Sequence, residues 1–341
     1  MELREPGPGE ALVRVEAAGI CHSDLNALEG RSAPPGWPLI CGHEGLGVVT
    51  ALGPGADSVQ VGQRVLFCFV ASCLRCSWCL RGEHHLCSSF RASKTPKGRL
   101  AGGTEVFGHA GLGAFAEEAL VDHRSLVPVD SKLDAAQLAL VSCGVTTGVS
   151  AVEHCAKVEP ASSVAVFGAG GVGLAVVQAA RLAGATTVIV VDPVPQRRQR
   201  ALGLGATIGV GPQDAVLDIA RDATGGRGVD YAFDAVGRAD ASTQGFAALR
   251  RGGMLVIVGS APAGDRPGWS LYEQMRDAKT VKGSLYGNAF PHRDFARLIA
   301  RAESGQFDLG AMVTRRLRLD EVNDGIEALQ NGSGLRSVIV F

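Results

Sequence analysis

Over the first third of the chain, apolar and polar residues alternate in short runs. Ala11 to Ala17 (ALVRVEA) has the two-residue period of a half-buried strand. Gly45 to Gly53, Arg64 to Val70 and Ala114 to Val121 read as further short strands separated by Gly, Pro and Asp. That spacing predicts a small barrel or sandwich. After about Thr147 the pattern changes. Val164 to Phe167 (VAVF), Thr187 to Val191 (TVIVV), Val229 to Phe233 (VDYAF) and Leu255 to Val258 (LVIV) are short apolar runs, and Val172 to Leu182 and Gln196 to Leu204 read as helices between them. Buried strands alternating with helices predict an α/β unit with a parallel, doubly wound sheet. From Asp294 onward the pattern is helix, strand (Val313 to Leu319), helix (Asp320 to Gln330) and strand (Arg336 to Phe341). These elements either extend the parallel sheet or return to the first domain, and periodicity leaves both open.

Composition changes little in this picture. At 341 residues two domains are expected, and 46% hydrophobic with 20% charged residues is ordinary for a soluble protein. A formal net charge of −1 excludes the basic footprint of a nucleic-acid or anionic-membrane binder. The longest uncharged stretch, Val164 to Ala180, is broken by glycines, so it reads as strand, turn and helix and not as a membrane span. Met1 to Gly9 carries Glu2, Arg4 and Glu5 without an apolar run, unlike a signal peptide. Nine cysteines without such a signal imply a reducing compartment, and a cytoplasmic protein is expected.

Cys73, Cys76, Cys79 and Cys87 form C-x2-C-x2-C-x7-C. Thiolates two residues apart wrap one ion at a turn, and four of them close a tetrahedron around Zn2+ with no position left for water. Such a site is structural. Disulfides, an iron–sulfur cluster or reduced core cysteines are the alternatives; the compartment disfavours the first, and the stretch lacks the Cys-Pro ending of bacterial ferredoxins.

Gly168, Gly170 and Gly173 form G-A-G-G-V-G, with Gly171 and Val172 inside it, directly after the VAVF strand and before a helix. In that context the glycines permit a tight turn, close approach of a pyrophosphate to a helix N-terminus, and close helix–strand packing. The second strand ends in Asp192, placed to accept from the adenosine ribose hydroxyls and to repel a 2′-phosphate, so NAD is expected over NADP. Arg197 and Arg198 lie close by and could instead pair with such a phosphate.

Cys21 (in Cys21-His22-Ser23-Asp24), His43 (in Gly42-His43-Glu44) and Cys143 (in S-C-G-V-T-T-G) are candidate metal ligands, but spacing alone does not join them. Taken singly, each is as well explained as a core residue. However, G-H-E-G-L-G-V-V-T-A-L-G-P-G-A (Gly42 to Ala56) resembles the zinc-site signature of the zinc-containing medium-chain alcohol dehydrogenases. The four-cysteine lobe, C-H-S-D, S-C-G-V-T-T-G, G-A-G-G-V-G and the closing L-R-S-V-I-V-F follow in that family's order, so the resemblance covers nearly the whole chain.

The resemblance implies a GroES-like β-barrel catalytic domain over 1–146 with a zinc lobe at about 70–90. It further implies a Rossmann NAD-binding domain over 147–286 and a segment 287–341 returning to the catalytic domain. It implies two Zn2+ per chain, with Cys21, His43 and Cys143 holding the catalytic ion and one position left for water or substrate. The implied reaction interconverts a primary or secondary alcohol and its aldehyde or ketone by hydride transfer to or from NAD. Ser23 would receive the alcohol proton, Asp24 would fix His43, and Glu44 would approach the metal during ligand exchange. Phe69 would line the substrate pocket. Thr147 would pack on the nicotinamide, Val258, Ser284 and Tyr286 would meet the carboxamide, and Arg336 and His22 would lie at the pyrophosphate. Core packing is the other explanation for Phe69 and Val258.

Two departures stand out. Many family members have histidine where this chain has Asn26, and usually an extra N-terminal strand or hairpin before the segment equivalent to Glu2 to Pro8, so a shortened or misassigned start is expected. The loop Ser88 to Gly113 resembles the longer insert of the dimeric subgroup, so a homodimer is expected, with a homotetramer as the alternative. Cys41, Cys68 and Cys155 read as packed thiols, and His84, His85, His109, His123, His154 and His292 as surface or core residues. A thiol-adduct formaldehyde dehydrogenase, and a zinc-binding protein that keeps the fold without catalysis, are the rival functions.

Overall fold

A computed structural model describes residues 1–32, 34–89, 94–332 and 334–341. The chain packs as two units, Met1–Cys143 with Phe290–Phe341, and Gly144–Ala289. The boundaries thus fall at Cys143 and Ala289, where 146 and 286 were expected from sequence. Part of the Ser88 to Gly113 loop, residues 90–93, lies outside the described residues.

In the first unit the strand Glu10–Gly19 organises the largest sheet. Along one edge it pairs antiparallel with Glu44–Leu52, which continues to Arg64–Phe67 and Leu126–Pro128. Its early residues also pair with Glu118–Asp122, and its last three with Ser337–Val340. A long strand that changes partners, with register shifts at Leu12/Val13 and Val15/Ala17, is how a sheet turns a corner toward a barrel. Val13, Val15, Val65, Phe67, Ala119, Val121 and Leu126 form the core beneath it. The alternation in ALVRVEA places its valines there and leaves Arg14 exposed. The question left open by the C-terminal pattern is answered in this unit. After the helix Pro291–Glu303, Arg315–Leu317 and Ser337–Val340 join the sheet of the N-terminal strands.

The second unit is a six-stranded, wholly parallel sheet in the order Ile208–Val210, Thr187–Val191, Ser163–Phe167, Val229–Asp234, Leu249–Ile257, Thr280–Gly283. The helices Gly171–Leu182, Pro195–Gly203 and Ala239–Ala248 connect these strands. Ser163–Phe167 is buried throughout, which explains its lack of alternation. Strand order reverses between Ser163–Phe167 and Val229–Asp234, the switch point at which doubly wound sheets bind ligands. No single helix among the described residues is long and apolar enough to cross a membrane.

Candidate functional site

Cys21 follows the end of the long strand and starts the helix His22–Leu28. His43 immediately precedes, and Glu44 begins, the strand paired with it, in which Glu44 opposes Gly19. Cys143 ends a short turn that Ser142 anchors by donating its hydroxyl hydrogen to the Gly45 carbonyl at 2.9 Å. These anchors bring Cys21, His43, Glu44 and Cys143 together, with one ligand atom of each within 4.8 Å of the others and all four residues buried. Gly42, just before His43, has φ +91, and a Cβ there would lie 2.6 Å from the Phe115 nitrogen. The turn that delivers His43 therefore requires glycine.

Asp24 is completely buried and holds the ring. Its Oδ1 accepts from His43 Nδ1 at 3.1 Å and from the Gly42 N–H at 2.9 Å, and its Oδ2 accepts from the Cys21 N–H at 3.1 Å. An ionised carboxylate only accepts, so Nδ1 carries the proton and Nε2 is the nitrogen left for another partner. Burial alone would raise the Asp24 pKa. The charge of His43 and hydrogen bonds from His109 and His43 outweigh it and hold the carboxyl down at about 2. Burial likewise opposes a charge on His43, but Asp24 and then the Cys21 thiol push its pKa up to about 10. The Cys21 thiol is held well below its ordinary value, first by its hydrogen bond with Cys143 and then, against burial, by His43.

The set favours a cation. His43 Nε2 and Glu44 Oε1 are buried with no hydrogen-bond partner among the described residues, although buried polar atoms are costly when unpaired. A divalent metal beside two thiols satisfies the ring nitrogen and stabilises the thiolates. The other Glu44 oxygen is taken by Arg336 in a buried ion pair.

Cys73, Cys76, Cys79 and Cys87 also place their sulfurs within 4.8 Å of one another, and none of the nine cysteines is in a disulfide. The Cys73 N–H lies 3.3 Å from Cys87 Sγ and the Cys76 N–H 3.4 Å from Cys73 Sγ, the backbone donation that thiolates attract. Backbone donors, first the Cys79 N–H, draw Cys76 down to about 5, while burial and the neighbouring thiols push Cys79 up to about 12. Thiols this close cannot all ionise unless a cation neutralises them, so a tetrathiolate metal site fits the lobe.

In the second unit the turn from Phe167 into the helix at Gly171 has the predicted form. Gly168 has φ +94, Gly170 caps the helix, and Gly171 and Val172 open it. A Cβ on Gly173 would fall 1.8 Å from the Gly168 carbonyl oxygen. Asp192, at the end of the next strand, is buried, and its carboxylate accepts from the Ala169 and Val194 N–H groups, both at 2.8 Å. Arg198 is turned onto the Asp192 and Pro193 carbonyls, and Arg197 lies on the same helix. Thr147 is buried on the helix Gly144–Ser150. The Val258 and Ser284 N–H groups are bound to the Asp234 and Ile257 carbonyls, and Tyr286 is buried in a left-handed turn.

The other expected residues belong to the first unit. Ser23 Oγ is 4.0 Å from Cys21 Sγ, Phe69 meets the His43 ring edge-on at 5.9 Å, and His22 is exposed. Arg336, expected at the pyrophosphate, is buried and pairs with Glu44.

One histidine has a partner that the sequence did not signal. His109, read from sequence as a surface or core residue, places Nδ1 2.7 Å from Asp24 Oδ1 and packs edge-on against His43 at 5.1 Å. Nothing in the sequence around it signals this, because the two residues are 85 positions apart.

Comparison with known proteins agrees with this layout. Residues 7–131 match the family described as alcohol dehydrogenase GroES-like domain, and residues 171–304 the zinc-binding dehydrogenase family. The chain is 36% identical over 349 residues to an NDMA-dependent alcohol dehydrogenase of Amycolatopsis methanolica, covering 100% of this chain and 94% of that protein. It is 33% identical to an S-(hydroxymethyl)glutathione dehydrogenase of Synechocystis sp., covering 100% and 95%. The crystal structure of benzyl alcohol dehydrogenase from Acinetobacter calcoaceticus superposes with a TM-score of 0.91 at 29% identity, covering 100% of this chain and 94% of that one.

Proposed function

The chain belongs to the zinc-containing medium-chain alcohol dehydrogenases, and from that premise we propose that it interconverts a primary or secondary alcohol and the matching aldehyde or ketone, with NAD as hydride carrier. It holds two zinc ions per chain, one at Cys21, His43 and Cys143 and one at Cys73, Cys76, Cys79 and Cys87. The observation that carries this reading is the buried Cys21–His43–Cys143 set, with His43 Nε2 unpartnered and its ring fixed by Asp24.

A zinc ion held by Cys21, His43 and Cys143 would supply Lewis acidity that lowers the pKa of an alcohol hydroxyl toward neutrality, and NAD held by the second unit would accept the hydride. The side chains do the rest. Ser23, which is partly exposed, would accept the alcohol's proton on its hydroxyl oxygen and give its own hydrogen to solvent water. Asp24 keeps His43 in the tautomer that points Nε2 at the metal. Phe69, edge-on to His43, gives the substrate an apolar wall and excludes water. Arg336 holds Glu44 in reserve by the ion pair, and the other carboxylate oxygen, Oε1, is buried without a hydrogen-bond partner among the described residues.

The second unit supports NAD over NADP, because the buried Asp192 carboxylate beside the glycine turn would repel a 2′-phosphate. Val258, Ser284, Tyr286 and Thr147 hold the nicotinamide end, and Arg197 lies nearer the adenosine end. Reduced thiols suit action in the cytoplasm.

A second reading, oxidation of a thiol adduct of formaldehyde, is favoured by the 33% identity to the Synechocystis enzyme. A panel of aliphatic, benzylic and thiol-adduct alcohols, followed by NADH absorbance with and without a chelator and paralleled by NADP, separates the two. We expect chelator-sensitive turnover with NAD and two zinc ions per chain by metal analysis. Bound metal and NADH binding without turnover of any alcohol or aldehyde would identify a non-catalytic zinc protein instead.

A further inference from the structure

His109 has no part in the reaction just proposed, yet it makes the shortest of the hydrogen bonds to Asp24. Three N–H groups converge on Asp24 Oδ1: His109 Nδ1 at 2.7 Å, the Gly42 backbone at 2.9 Å and His43 Nδ1 at 3.1 Å. The other oxygen receives the Cys21 N–H, at 3.1 Å. A carboxylate oxygen has two favourable lone-pair directions, so three donors on one oxygen compete. The competition goes against His43, whose bond is the longest of the three. Asp24 is completely buried, and water cannot relieve the contest.

His109 is held in place for this. It follows the strand Glu105–Gly108 and begins a turn in which Ala110 has φ 54, and its side chain is 12% exposed. Its ring stands 74° to that of His43.

We propose that His109 is a positioning residue of the metal centre: by taking the better share of Asp24 Oδ1, it limits how strongly that carboxylate polarises the His43 ring. A carboxylate behind a ligand imidazole makes the ring a stronger donor to its metal. A carboxylate shared with a second imidazole does so less, which leaves the metal more electrophilic and less tightly held. The proposal rests on the reading of Cys21, His43 and Cys143 as a metal site.

Cobalt(II) tests it, since its visible ligand-field bands report on the donors. The protein is loaded with Co2+ and compared with His109→Phe, His109→Gln and His109→Asn, with a His43→Ala chain giving the four-thiolate background. Asparagine presents an N–H near the Nδ1 position, glutamine presents one near Nε2, and phenylalanine presents none. We expect release of Co2+ to excess chelator to slow by about threefold to tenfold in the Phe and Gln variants, a fraction of the effect of losing a ligand's direct partner. Their ligand-field bands should shift, and His109→Asn should restore both properties. If His109→Phe does not fold, His109→Gln carries the comparison. Unchanged bands and release, faster release, or an Asn variant that moves with the Phe variant would each overturn the proposal and leave His109 as packing. Wild-type and His43→Ala spectra that coincide would remove the metal site itself, a failure distinct from that of His109 alone.

Discussion

Asn26 sits one turn along the helix His22–Leu28 from Ser23, and residues three apart share a helix face. A histidine there would stand where a proton leaving Ser23 goes next; asparagine can hydrogen-bond but does not titrate near neutrality. Asn26→His should add an inflection near pH ~6.5 to the kcat profile, the ordinary histidine range. A profile that keeps its shape would show that the proton takes another route. The roles expected of Ser23, Asp24 and Glu44 rest on the resemblance to a family, although each lies close to a candidate ligand in a short motif. Spacing could not unite Cys21, His43 and Cys143; only the resemblance to a family did so. His109 lay beyond both kinds of reasoning. Its partner is set by a turn of left-handed backbone after a four-residue strand, and no local pattern encodes which distant carboxylate such a turn will face.

At the level of elements, the glycine turn is the sharpest local constraint. In Gly173→Ala the new methyl would meet the Gly168 carbonyl oxygen, and the helix Gly171–Leu182 must shift away from its strand. Overpacking of this kind costs ~1–3 kcal/mol or more. We expect a lower Tm and at least a tenfold loss of NADH affinity in a fluorescence titration; unchanged values would show that the turn yields. The strands that could be read from sequence were those with a clear period or wholly apolar, such as Thr187–Val191. Ile208–Val210 (IGV) and Thr280–Gly283 (TVKG) escaped notice because they are short and lie at the sheet edges, where one side needs no apolar partner. Leu249–Ile257 begins well before the apolar LVIV run because its RRGG segment reads as a loop. The helix Ala239–Ala248 (ADASTQGFAA) lacks the contrast between faces that periodicity detects.

At the level of the whole molecule, we propose a homodimer. Besides the loop that suggested it, the parallel sheet ends on Thr280–Gly283, whose outer edge has no partner strand among the described residues. The preceding helix Leu271–Arg276 exposes Leu271, Tyr272 and Met275 by 80%, 64% and 68%. Unpaired edges and clustered apolar side chains favour association. Sedimentation should give twice the 35.3 kDa chain mass, and Tyr272→Glu with Met275→Asp should lower it to the monomer value. A tetramer, or a dimer indifferent to both substitutions, would refute this assignment.

The partner exchange along Glu10–Gly19 bears on how the protein comes into being. Synthesis is vectorial, and units composed of one uninterrupted stretch can acquire their structure while the ribosome is still at work. Gly144–Ala289 is such a stretch. The first unit is not: the edge at Ala17–Gly19, immediately before Cys21, waits for Val338–Val340, and Glu44 waits for Arg336, 292 residues later. The unit that appears first on the ribosome is therefore completed last. Until Arg336 and Val338–Val340 have been made, the Ala17–Gly19 edge lacks one of its strand partners and Glu44 its buried counter-ion.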